Sequence, residues 1–149
     1  MYLIALFLTF SVMLITIFWG GIFYLFDIPS FIVVFGISIP LFGITGLWND
    51  FRRAIKIAYS KENLYEIYEL KKSLLAIKAF QVLLIFSGLY GTIIGFIGIL
   101  QGDYRPNNFL PLISVSLITL FYSITAILLM IPISYRIKSL ILDKEEESK

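Results

Sequence analysis

The chain has 149 residues, of which 59% are hydrophobic and only 15% charged, with a formal net charge of +2. A soluble domain is roughly half apolar and about a quarter charged, and one domain of this length cannot hide so large an apolar surplus from water. The composition excludes a soluble enzyme, a disordered chain and a typical nucleic-acid binder, so no nucleic-acid partner is expected. Cysteine and histidine are both absent. Disulfides, thiolate metal sites, the commonest metal ligand and the usual general base go with them. No catalytic residue, cofactor or metal is expected, and the protein is expected not to be an enzyme.

Four stretches carry no charge: 1–26, 31–48, 79–101 and 106–135. About 20 helical residues cross a bilayer core about 30 Å thick. Strands would have to close into a barrel and alternate polar with apolar residues, which these stretches do not do. The expected fold is an all-α integral membrane protein with four transmembrane helices. The spans fall at about 2–26, 31–48, 79–101 and 109–133 of a single membrane domain, 1–149. An inner helical segment fills 49–78 and a short tail 134–149.

The first stretch lacks a basic leader and a small-x-small cleavage signal, so it is expected to stay as a span. In the second, Gly36, Pro40, Gly43 and Gly46 recur at three- and four-residue steps. They are expected to form the face that another helix approaches, with a kink at Pro40.

The inner segment holds seven of the 12 basic residues, from Arg52 to Lys78. The tail holds Arg136, Lys138, Lys144 and Lys149, whereas the loop 102–108 has only Arg105 and the turn at 27–30 has no basic residue. Basic residues collect on the cytoplasmic side, so both termini are expected there. The basic rim attracts anionic membrane lipid. Within the segment, Phe51, Ala54, Ile55 and Ala58 fit one helical face, and Leu64, Ile67, Tyr68 and Lys71 a second. The polar residues 60–63 separate them, and Tyr65, Glu66 and Glu69 are placed to support contacts between helices. The acidic tail end, 143–149, is expected to be a frayed, solvated helix end.

The third span carries Ser87, Gly88, Gly91, Thr92, Gly95 and Gly98 as one stripe of small residues, opposite Leu84, Phe86, Leu89, Ile93, Phe96 and Ile97. Some helix should lie on that stripe. The fourth span places Ser116, Thr119, Ser123 and Ala126 on one stripe, which Thr92 could face. Pro111 is expected to start that helix and Pro132 to mark its inner end. The hydroxyls allow two readings. They can bond back to their own helix carbonyls, as ordinary packing, or line a narrow polar route. No Asp, Glu, Lys or Arg lies in the central part of any span. Moving a proton across a membrane usually needs such a group, so a second polypeptide would have to bring it.

Three segments together resemble the MotA/TolQ/ExbB proton-channel family. They are Asp27, Pro29 and Ser30 leading into 31–36; Gly88, Tyr90, Gly91, Thr92 and Gly95; and Pro111 followed by Ser116, Thr119, Tyr122 and Pro132. The match covers about 27–36 and 88–138. The chain looks like a compact MotA-like stator subunit without the large cytoplasmic domain. The resemblance implies a homo-pentamer in the bacterial inner membrane around two copies of a MotB-like or ExbD-like single-span protein. That partner carries the proton-binding aspartate, and ion flow drives rotation or force. The resemblance further implies that Thr92 and Thr119 border the ion route, and that Gly88, Gly91 and Gly95 permit close packing. Pro111 and Pro132 would shape the two ends of the fourth span. The residue after Thr119 is Leu120, where the family often has a second threonine. That favours a proton over sodium, which wants several oxygen ligands. The alternative is a non-conducting membrane scaffold or assembly subunit, whose small-residue faces serve packing only.

Overall fold

The computed structural model describes residues 11, 12, 15, 27–59, 65–102 and 106–147, except for the side chains of 106–111. All but residues 11, 12 and 15 of the expected first span, the expected break at 60–63 and the centre of the loop 102–108 lie outside the described residues. The described elements are all helical: α1 (Ile28–Ile44), α2 (Trp48–Tyr59), α3 (Ile67–Gln101) and α4 (Pro106–Glu147).

Helix α1 starts where the sequence supplies a cap. The Asp27 carboxylate accepts the Ser30 amide at 2.9 Å, and Pro29 sits in the first turn, where its missing N–H costs nothing. The helix runs through Pro40 to Ile44. It then stops because Thr45 turns its hydroxyl onto the Phe42 carbonyl at 2.7 Å and Gly46 adopts φ +70°, a conformation that disfavours any side chain. This stop turns the chain by 109° into α2.

Four aromatic rings fill the inside of that corner. Phe42 lies 5.1 Å from Phe80, 5.4 Å from Phe51 and 5.9 Å from Trp48, centroid to centroid. Such tilted and edge-on pairs contribute beyond their buried area. Phe42 is fully buried. It belongs to a core of Val34, Ala76, Phe80 and Leu84 that joins α1 to α3. A second core, of Ala54, Ile57, Leu70, Ile77, Ile137 and Ile141, packs α2 against the charged ends of α3 and α4.

Helices α3 and α4 have 35 and 42 residues, which is about 52 and 63 Å at 1.5 Å per residue. Each is long and apolar enough to cross a membrane, with mean hydropathy of 2.2 and 2.3 over the best 18 residues. The bent pair α1–α2 makes a third candidate if it counts as one span. The chain is therefore an all-α membrane protein with two to three candidate spans among the described residues. Large apolar side chains point outward along them, Phe86 at 66% and Leu100 at 77% exposed, as a lipid solvent allows.

The structure departs from sequence expectation in several places. Helix α3 begins at Ile67, so residues 67–78 of the inner helical segment extend the third span as one continuous helix, in keeping with the reading of that segment as helical. Its buried face there is Leu70, Ser73, Ala76 and Ile77, while Tyr68 and Lys71 are exposed. Leu84, assigned to the outward face, is fully buried. On α1 the buried face is Ser30, Val34, Ser38 and Phe42. Gly36, Pro40, Gly43 and Gly46 are exposed instead, and a Cβ on Gly43 would meet nothing within 4 Å. Helix α4 begins at Pro106, so Pro111 lies in its second turn, and it continues through Pro132 to Glu147.

The tail is helical because it is held. Lys144 donates to the Tyr65 carbonyl at 2.6 Å, Lys71 pairs with Glu145 at 2.7 Å, and the Arg136 guanidinium reaches the Ile57 carbonyl at 3.3 Å. Ile137 and Ile141 are buried beneath these contacts. Glu69, expected to support contacts between helices, lies 3.8 Å from Arg53 of α2 and also accepts the Glu66 amide at 3.2 Å.

Candidate functional site: a buried hydroxyl seam

Glycines on α3 meet small hydroxyl residues on α4 in antiparallel register. A Cβ on Gly88 would lie 2.7 Å from the Ser123 Cβ. On Gly91 it would lie 2.5 Å from the Thr119 Cγ2 and 2.7 Å from the Val33 Cγ1. On Gly95 it would lie 2.5 Å from the Ser116 Oγ and 3.3 Å from its Cα. At each glycine at least one of these distances is under 3.0 Å, shorter than a real Cβ tolerates, so each glycine is a groove that one residue of α4 fills. Close backbone approach of this kind drives helix association where lipid leaves no hydrophobic force between helices. Gly98, the last member of the small-residue stripe, has nothing within 4 Å of an added Cβ and takes no part.

Hydroxyls gather along the same seam. Ser87, Thr92, Ser116, Thr119 and Ser123 are all buried, and α1 adds Ser30 and Ser38. The Ser38 and Ser87 oxygens are 2.8 Å apart, and Ser87 donates onward to the Leu84 carbonyl at 3.1 Å. The Ser30 and Thr119 oxygens are 3.1 Å apart. Thr92 donates to the Gly88 carbonyl at 2.8 Å, Ser116 to Leu112 at 3.1 Å and Ser123 to Leu120 at 3.1 Å. Tyr122 accepts the Asp27 amide at 3.1 Å through its phenol oxygen. A hydroxyl carries one donor but two acceptor lone pairs. Back-bonded hydroxyls therefore spend their proton on the helix and still present oxygen to whatever enters beside them.

Every residue expected in the ion pathway falls in this seam: Ser116, Thr119 and Ser123 on α4, and Thr92 on α3. Of the helix-packing set, Gly88, Gly91 and Gly95 make close contacts. Pro132 is half-buried and well along α4 from them. The side chain of Pro111 lies outside the described residues. Thr92 bonds within its own helix, and Thr119 bonds across to α1.

Ser38 was missed from the sequence, and Ser30 was read only as part of the entry to the second span and not as a site residue. Their signal was present, since 30, 34, 38 and 42 step by four through an apolar helix. The more conspicuous glycines of α1 drew the expectation to the wrong face. No protein-family model matches the chain, and no curated protein matches it in sequence.

Proposed function

We propose that this chain is the ion-channel-forming subunit of a proton-driven membrane motor, a compact relative of the MotA/TolQ/ExbB family. In this reading four spans cross the bacterial inner membrane with both termini in the cytoplasm. Five copies surround two copies of a MotB-like or ExbD-like single-span protein. The chain performs no covalent chemistry. Its task is to position and gate a proton that rides on the partner's aspartate, so that ion flow turns into rotation or force.

The observation that carries the reading is the seam of buried hydroxyls at Ser30, Thr119, Ser123, Ser116, Ser87 and Thr92, in spans whose own sequence holds no acid. Hydroxyl oxygens order water and accept a passing proton's hydrogen bonds without trapping a charge. In this reading the mobile charge in the seam is brought by the partner. The basic residues clustered on one side agree with the proposed orientation.

The scaffold alternative draws on the same contacts. Each seam hydroxyl already has a protein partner, and the glycines serve close packing whether or not ions pass. Replacing Thr92 and Thr119 together with Val separates the two readings. The motor reading predicts an assembled complex that has lost ion-dependent activity. Full activity in the double variant overturns it in favour of the scaffold.

A further inference from the structure

We infer that a groove between α3 and α4, at the level where their charges begin, binds the headgroup of an anionic phospholipid. The groove holds about 330 Å³. Leu74, Lys78 and Gln81 line it from α3, and Ile131, Ser134, Tyr135 and Lys138 from α4. The steps along each helix are three and four residues, so each set is one stripe and the stripes face each other.

The placement fits a lipid better than a soluble ligand. From 79 to 101 on α3 and from 106 to 135 on α4 there is no charged residue. Lys78 is therefore the last charge before the apolar part of α3, and Lys138 stands just beyond the apolar part of α4. Both ammonium groups sit where the headgroups of a bilayer lie, and both are exposed. Tyr135, 69% exposed, has the amphipathic ring that favours that depth. Leu74 and Ile131 give the groove an apolar wall against which a lipid's glycerol and first methylenes can lie.

The charge is complementary to a phosphate and not spent elsewhere. The ion pairs among the described residues join Arg53 to Asp50 and Glu69, and Lys71 to Glu145; neither Lys78 nor Lys138 is engaged. No acid lines the groove. Ser134 has already given its proton to the Met130 carbonyl at 3.3 Å. The two lysines, the Gln81 amide and the Tyr135 phenol are thus the donors left for phosphate oxygens. The inference rests on α3 and α4 crossing a membrane and is independent of the motor reading.

The test titrates phosphatidylglycerol or phosphatidylcholine, each with a fluorescent acyl chain, into the full chain in mixed micelles. A juxtamembrane lysine adds about 1 kcal/mol toward anionic lipid, so the wild-type preference for phosphatidylglycerol should be about five-fold or more. Lys78→Gln with Lys138→Gln should remove most of it, and Lys78→Arg with Lys138→Arg should keep it. Lys56→Gln with Lys72→Gln removes equal charge elsewhere on the basic rim and should lower the preference far less. Circular dichroism confirms that each variant is folded. Absence of a wild-type preference, or equal loss in the two glutamine variants, overturns the site. Displacement of the lipid by inorganic phosphate at equal concentration replaces it with a simple anion site.

Discussion

The hydroxyl oxygens of Ser30 and Thr119 lie 3.1 Å apart, tying the first turn of α1 to the first third of α4, while the Thr119 methyl fills the groove over Gly91. One threonine thus joins three helices, by polarity on one side and by shape on the other. Thr119→Val keeps the shape and removes the oxygen. The Ser30 hydroxyl would be left buried and short of a partner, at a cost of about 1–2 kcal/mol. Thr119→Ser keeps the oxygen and opens a small void, and should cost about 1 kcal/mol. Unfolding in detergent, followed by circular dichroism, checks both values.

Ser73 gives the opposite sign. Its hydroxyl is fully buried and has no hydrogen-bond partner among the described residues. An unmet hydroxyl costs about 1–3 kcal/mol. Ser73→Ala should therefore raise stability or leave it unchanged. A loss above about 1 kcal/mol in the same unfolding assay would mean that this hydroxyl has a partner after all.

The glycines of α3 should not behave alike. Gly91→Ala drives a methyl into both Thr119 and Val33, and Gly95→Ala drives one toward the backbone of Ser116. Each should loosen the α3–α4 pair and cost about 1–3 kcal/mol. Gly98→Ala meets open space and should be neutral or slightly stabilising, since alanine is the better helix former. Thermal unfolding of the three variants in one detergent gives the order.

The corner between α1 and α2 depends on one backbone angle and one ring. Gly46 sits at φ +70°, so Gly46→Ala should cost about 1 kcal/mol, with Gly46→Asn milder because asparagine tolerates that region. Phe42→Ala empties the centre of the aromatic cluster and should cost about 3–5 kcal/mol. Hydrogen exchange should quicken through α2 in the Phe42 variant, since the far side of the corner loses its anchor.

Much of this architecture was legible in the sequence, for a physical reason. The uncharged runs mark helices α3 and α4 because lipid tolerates few charges. The glycine stripe at 88, 91 and 95 marks its own partner because small residues have little other use on a buried apolar face. Ser116, Thr119 and Ser123 fell on that partner for the same reason. The facing of α1 was not legible. Both its glycine stripe and its serine stripe fit a helical period, and in lipid neither apolarity nor small size tells inside from outside. The anchoring of the tail helix was also hidden. Its acidic end reads as solvated until Lys71 and the Tyr65 carbonyl, far away in sequence, are brought beside Glu145 and Lys144. The bend at Gly46 was missed because glycine in an apolar run reads equally as packing or as a turn.

The central claim is that the seam serves a proton whose carrier belongs to another protein. Proton flux into vesicles under an applied potential tests it most directly, comparing this chain alone with the complex it forms with a single-span partner bearing an intramembrane aspartate. The account predicts no flux from the chain alone, flux from the complex, and its loss when that aspartate becomes asparagine. Full flux from the chain alone, or flux from the complex that ignores the aspartate, would contradict it.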